Sequence, residues 1–150
     1  MLSIESHVQR LVNSFKKWTG RELIVRSDDP ASEAKALFDA PFVIVSHGTE
    51  ADPILNYGNR AALELWEVDF ETLTRMPSRT TAEPMHRDER ERFMNQVRRA
   101  GFVSGYGGVR ISSTGKRFRI QDAVIWNVLD ESGTVCGQAA MFEKWTMLGS

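Results

Sequence analysis

The chain has 150 residues, 41% hydrophobic and 26% charged, with 19 Lys and Arg against 20 Asp and Glu. That length fits one domain with a core of its own, and near-zero net charge excludes a charge-driven disordered chain and the basic excess of nucleic-acid-binding domains. A single cysteine, Cys136, excludes an internal disulfide or thiolate zinc cluster, and no apolar run nears the roughly 20 residues of a membrane span, so a cytoplasmic protein is expected.

From Ser3 to Trp18, apolar Ile4, Val8, Leu11, Val12, Phe15 and Trp18 recur every three or four residues, predicting an amphipathic helix capped by Ser3 and closed by Gly20. A short helix follows Ser27-Asp28-Asp29-Pro30, with Ala34, Leu37 and Phe38 facing inward. Two strand-length runs come next, Pro41 to Val45 and Pro53 to Tyr57, joined by a polar loop at residues 46–52. Asn59 reads as the cap of a helix from Arg60 to Glu67, and Asp69 as the cap of another turn through Leu73. His86 to Ala100 reads as a charged helix stopped by Gly101. The last third is strand: Phe102 to Ser112, Arg117 to Leu129 and Val135 to Trp145, joined by turns at Ser113-Thr114-Gly115-Lys116 and Asp130-Glu131-Ser132-Gly133. Strict alternation in the middle strand would put Phe118, Ile120, Val124, Trp126 and Val128 on one face. Three strands joined by tight turns make an antiparallel meander, and the order as a whole predicts an α+β fold, one antiparallel sheet of about five strands covered by helices.

The segment Ile54-Leu55-Asn56-Tyr57-Gly58-Asn59-Arg60-Ala61-Ala62-Leu63-Glu64-Leu65 resembles PAS-like domains, in which a strand runs into an Asn-led helix whose small residues lie close to the sheet. Ala123 to Leu129 and Met141-Phe142-Glu143-Lys144-Trp145 resemble the closing strands of the MEKHLA domain. This PAS-related domain occurs as stand-alone bacterial proteins and at the carboxyl end of plant class III homeodomain–leucine zipper factors. The loop from His47 to Pro53 is similar to that of the bacterial members, and the likeness covers about Leu11 to Trp145. It implies a PAS-like domain over residues 41–148, preceded by a helical flank over residues 1–40, and a sensory or interaction role without catalysis. The expected function is a module that binds a small molecule between sheet and helices and signals through an unidentified partner protein, with no nucleic acid and no membrane involved.

Candidate residues divide by chemistry. His47 with Glu50 and Asp52 is the densest polar cluster, either holding its own loop, lining the pocket, or serving a small α+β enzyme with His47 as base. The spacing of three and five on a loop fixes no metal geometry. His47, Glu50, Asn56, Tyr57, Trp66, Arg119, Asp122 and Trp126 are the expected pocket residues. Asp122 is the oddity: amid Ile120 and Val124 it needs a buried partner, such as an arginine or His47, or a bulge that turns it outward. Arg110, Arg117 and Arg119 form an anion-binding face or, as alternation favours for Arg117 and Arg119, a solvent-facing one. Haem would need His86 as its axial ligand. Flavin–cysteine adduct chemistry is excluded, because such relatives carry the cysteine on a central helix and Cys136 falls in the last strand. The Val8, Leu11, Phe15 and Trp18 stripe either covers the sheet or joins two copies in a homodimer.

Overall fold

The computed structural model describes residues 2–82 and 84–149, the side chains at 84–87 and 90 excepted. Local chemistry starts and stops its helices. In α1 (Ile4–Thr19) the Ser3 side chain accepts from the Ser6 amide, and Gly20 closes the last turn at φ 75° with its N–H on the Lys16 carbonyl. In α2 (Pro30–Phe38), Asp29 caps the Ala31 amide and Pro30 opens the helix. Strands β1 (Val43–His47) and β2 (Leu55–Gly58) lead to α3 (Arg60–Trp66), capped by Asn59, and α4 (Phe70–Leu73), capped by Asp69. A 3-10 turn over Ser78–Thr81 precedes α5 (Pro84–Ala100). Gly101 ends α5 at φ 95°, lying so close to the Trp18 ring that a Cβ there would collide with it.

The meander follows as β3 (Phe102–Ile111), β4 (Arg117–Leu129) and β5 (Val135–Phe142). The expected last strand breaks at Glu143, and β6 (Lys144–Met147) continues along the same edge of β4. All pairings are antiparallel, in the order β2-β1-β5-β4-β3. The sheet is therefore single and antiparallel, as the sequence predicts, and helices cover it.

They cover both faces. On one, Val8, Leu11, Val12 and Phe15 of α1 and Leu37 of α2 pack with Ile44, Tyr57, Val124, Trp126 and Val128. On the other, Ala62 and Trp66 of α3 and Met94 and Val97 of α5 pack with Val43, Tyr106, Phe118, Ile120, Ala123, Ile125 and Phe142. The α1 stripe is thus buried against its own sheet, so Val8, Leu11 and Phe15 are not available to a second copy. Trp18 is also held in place, its indole donating to the Asn127 carbonyl at 2.9 Å.

The division of β4 between the two cores corrects the strict alternation expected from sequence. Asp122 sits at φ 53°, exposed, between the β6-paired stretch Phe118–Gln121 and the β5-paired stretch Val124–Leu129. It acts as the extra residue of a bulge, and one extra residue exchanges the faces of everything beyond it. Phe118 and Ile120 therefore face α3 and α5, whereas Val124, Trp126 and Val128 face α1. The bulge is also why Asp122 needs no buried partner.

Candidate functional site

Between the sheet and the α3–α5 layer lies a largely apolar cavity, with about 50 Å³ open to the centres of water-sized spheres. Val45, Leu55, Met94, Ile120, Ala123, Ile125 and Phe142 supply most of its wall. Polar side chains reach it from several elements: His47 from β1, Trp66 from α3, Ser78 and Thr81 from the 3-10 turn, Tyr106 and Arg110 from β3, and Gln138 from β5. A wall of apolar side chains with a few converging polar groups is the usual composition of a small-molecule site.

Strand register brings these groups together. His47 pairs with Gln138 across β1 and β5, and a Cβ at neighbouring Gly137 would run into the His47 carbonyl, so glycine lets the two strands close. Arg110 pairs with Phe118, and Tyr106 with Ala123, which puts both β3 side chains on the cavity face. Gln138 donates to the Met94 carbonyl of α5 at 3.1 Å and to Asn127 Oδ1 at 3.3 Å, while Asn127 donates to the Val97 carbonyl at 3.1 Å. These two amides fasten α5 over the cavity. Among the described residues the Gln138 Oε1 and the Trp66 Nε1 are both buried without a hydrogen-bond partner. Both residues are only 3% exposed.

Arg110 is 6% exposed. Its Nη1 donates to the Val109 carbonyl and its Nη2 to Tyr106 Oη, each at 2.9 Å. The guanidinium lies 5.5 Å from the centre of the Tyr106 ring, which in turn stacks 4.2 Å from Phe93. Among the described residues no carboxylate forms an ion pair with it.

Of the residues expected from sequence, His47 and Trp66 line the cavity. The other six lie elsewhere. Tyr57 and Trp126 belong to the α1 core, Tyr57 beside His7 and Phe70, Trp126 edge-on to Phe15 at 4.9 Å. Asn56 is exposed and accepts from Ser46 Oγ at 2.5 Å. Arg119 and Asp122 are exposed on β4. Glu50 is exposed and accepts from the Ile54 amide of its own loop at 3.2 Å, and Asp52 pairs with Arg79 at 3.1 Å. Neither carboxylate is bonded to His47, whose Nδ1 lies 2.9 Å from the Gly48 carbonyl oxygen, so among the described residues the catalytic pairing of His47 with Glu50 or Asp52 does not form. Among the described residues no three His, Cys, Asp or Glu side chains group as metal ligands. The side chain of His86, the expected haem ligand, lies outside the described residues. Cys136 is half-buried on the α1 side, 3.9 Å from an Arg10 nitrogen, and burial raises its thiol pKa.

Arg110 is expected only as part of an anion-binding face with Arg117 and Arg119, of which Arg110 alone lines the cavity, and Tyr106 and Gln138 are not among the expected pocket residues. The one local signal for them is the Gly107-Gly108 pair, which thins β3 where Tyr106 and Arg110 meet.

Comparison with known proteins places this geometry. The MEKHLA domain profile matches residues 5–147. Homeobox-leucine zipper protein HOX32 of Oryza sativa subsp. japonica is 26% identical over 140 residues, covering 90% of this chain, and protein ATHB-15 of Arabidopsis thaliana is 24% identical over 139 residues, covering 92%. The chain spans only 16% and 17% of those two proteins. Among solved structures, the PAS domain of a Colwellia psychrerythraea protein superposes with a TM-score of 0.65 at 15% identity, over 79% of this chain and 95% of that one. A light-oxygen-voltage domain studied with a flavin analogue gives 0.61 at 17% identity, over 79% of this chain and 86% of that one. The fold is that of PAS and light-oxygen-voltage domains. No helix among the described residues is long and apolar enough to cross a membrane. With its profile match spanning nearly its whole length, the chain belongs to the MEKHLA domain family.

Proposed function

We propose that this domain holds a small molecule in the cavity beneath α5 and reports its presence through contacts with a partner protein. The observation that carries the reading is a cavity whose wall includes two buried polar atoms, Trp66 Nε1 and Gln138 Oε1, without partners among the described residues. Leaving such groups unsatisfied is costly, and a bound molecule would satisfy them. Occupancy would bear on α5, because Gln138 both lines the cavity and holds the Met94 carbonyl. His47 and Trp66 are the ligand contacts retained from the sequence reading. A homodimer through α1 would use the exposed side of that helix, since its apolar stripe is already covered.

Native mass spectrometry of protein purified from its host, followed by a thermal-shift screen of metabolites, tests this reading. A mass above that of the bare chain, or a compound that raises Tm in the intact protein and not in Gln138→Leu, is the expected result. A bare-chain mass with no responding compound would overturn it and leave a protein-interaction module with a filled core.

A further inference from the structure

Building on the ligand-binding reading above, we infer that the cavity takes a small carboxylate whose charge is met by Arg110. A buried guanidinium is ordinarily neutralised by a carboxylate, because an unpaired charge in a low-dielectric interior is strongly disfavoured. Arg110 has no such partner among the described residues. Among the described residues it makes two hydrogen bonds, both to neutral oxygens, the Val109 carbonyl and the Tyr106 hydroxyl, out of the five N–H donors a guanidinium carries. Stacking on Tyr106 and that hydroxyl contact hold the fork on the cavity wall rather than letting it swing to solvent.

The backbone is shaped around this arrangement. A Cβ at Gly108 would stand 2.8 Å from Tyr106 Oη and 3.2 Å from Arg110 Nη1, so any larger residue there would press on the pair. The same cavity supplies an unused donor, Trp66 Nε1, and an unused acceptor, Gln138 Oε1. A carboxylate that also bears a hydroxyl or amino group offers what each of them lacks. Size narrows the class further. At about 10–15 Å³ per water-sized centre, the 50 Å³ of open space holds about three to five such centres, the scale of a two- or three-carbon acid.

The test uses the intact chain in a chloride-free sulfate buffer, with sodium glycolate, sodium lactate, glycolamide and sodium chloride as probes. The readouts are Tm and the indole N–H resonance of Trp66, identified among the four tryptophans by Trp66→Phe. Glycolate or lactate is expected to move that resonance saturably and raise Tm. The uncharged amide should bind at least about tenfold more weakly, and Arg110→Gln should weaken acid binding by about tenfold or more, as loss of a charge-assisted contact implies. Should Arg110→Gln fail to fold, Tyr106→Phe, which releases one arm of the fork, is expected to weaken the acids several-fold. Equal binding of glycolamide and glycolate, the same shift from chloride alone, or acid binding unchanged in the variants would each overturn the carboxylate assignment while leaving a ligand-binding cavity. Silence of Trp66 toward every probe overturns the assignment as well. The wider reading then stands or falls on the mass and thermal-shift measurements.

Discussion

Asp122 holds a left-handed backbone conformation that disfavours side chains branched at Cβ and that aspartate tolerates better than most. Its exposed side chain contributes little, so replacement should act through the backbone. Asp122→Gly is expected to leave stability unchanged or raise it by up to about 1 kcal/mol, and Asp122→Val to lower it by about 1–2 kcal/mol. Urea unfolding with an unchanged m-value checks both, and a valine variant as stable as the parent would remove the bulge from the account. Asn59 poses the opposite case, a fully buried side chain with every polar function engaged. Its Oδ1 accepts from the Ile44 and Ala62 amides at 3.2 and 3.1 Å, while its Nδ2 donates to the Leu37 and Phe42 carbonyls at 3.2 and 2.8 Å. Asn59→Asp keeps the shape but sets a carboxylate against two carbonyl oxygens, and should cost about 3 kcal/mol or more. Equal stability of the two proteins in urea at neutral pH would sink that argument.

Helix α1 is fastened to the sheet by polar contacts as well as by its apolar stripe. Ser14 Oγ accepts from the Leu129 amide at 2.8 Å, and the His7 ring nitrogen Nε2 meets Ser46 Oγ at 3.0 Å, close to Tyr57. Burial, with a smaller effect from nearby Arg10, lowers the His7 pKa from 6.5 to about 4. The folded protein therefore resists a proton that the unfolded chain accepts. His7 contributes stability that is complete above pH 6.5 and declines as the pH falls toward 4. The loss over that window is expected to reach at most about 3 kcal/mol, and His7→Gln should flatten it. Chemical denaturation at pH 7 and pH 4.5 measures the slope, and an identical slope in the variant would show that His7 does not set it. The elements themselves were largely legible in the sequence. Ser3, Asp29, Asn59 and Asp69 cap the helices they announce, because a cap bonds amides only two or three residues away. The faces of β4 were not. Alternation carries a side-chain assignment only until an extra residue enters, and Asp122 in an apolar run was compatible with either a buried pair or a bulge. That single residue moved Trp126 from the expected pocket to the α1 core and left Ile120 and Ile125 on the cavity wall. The cavity's other polar groups were harder still to read, since Arg110, Tyr106 and Gln138 meet only through strand register.

At the scale of the molecule, one sheet separates two cores, and neither set of helices alone closes it. The family profile spans residues 5–147, so the match itself includes α1. Reading residues 41–148 as the domain and residues 1–40 as a flank makes a physical claim about which part folds alone. Val8, Leu11, Val12 and Phe15 are at most 1% exposed, and they pack against Ile44 of β1 and Val124, Trp126 and Val128 of β4. Covering four such side chains contributes on the order of 6–12 kcal/mol at roughly 1.5–3 kcal/mol each, which is comparable to the whole stability of a small domain, about 5–15 kcal/mol. The cluster of Gln9, half-buried Arg26 and buried Glu33, in which the Arg26 guanidinium lies 2.6 Å from Glu33 and holds its carboxyl near a pKa of about 2, ties α1 to α2 and lies wholly within residues 1–40, so these residues leave as one unit. A chain of residues 41–150 is therefore expected to lose cooperative unfolding and expose apolar surface, seen as a flattened thermal transition and dye binding. Adding residues 1–40 back as a separate peptide should restore part of the transition if docking to the sheet is what was lost. A fragment that melts cooperatively near the parent's Tm would instead show that the α3–α5 core suffices, and that the amino-terminal helices serve something other than stability.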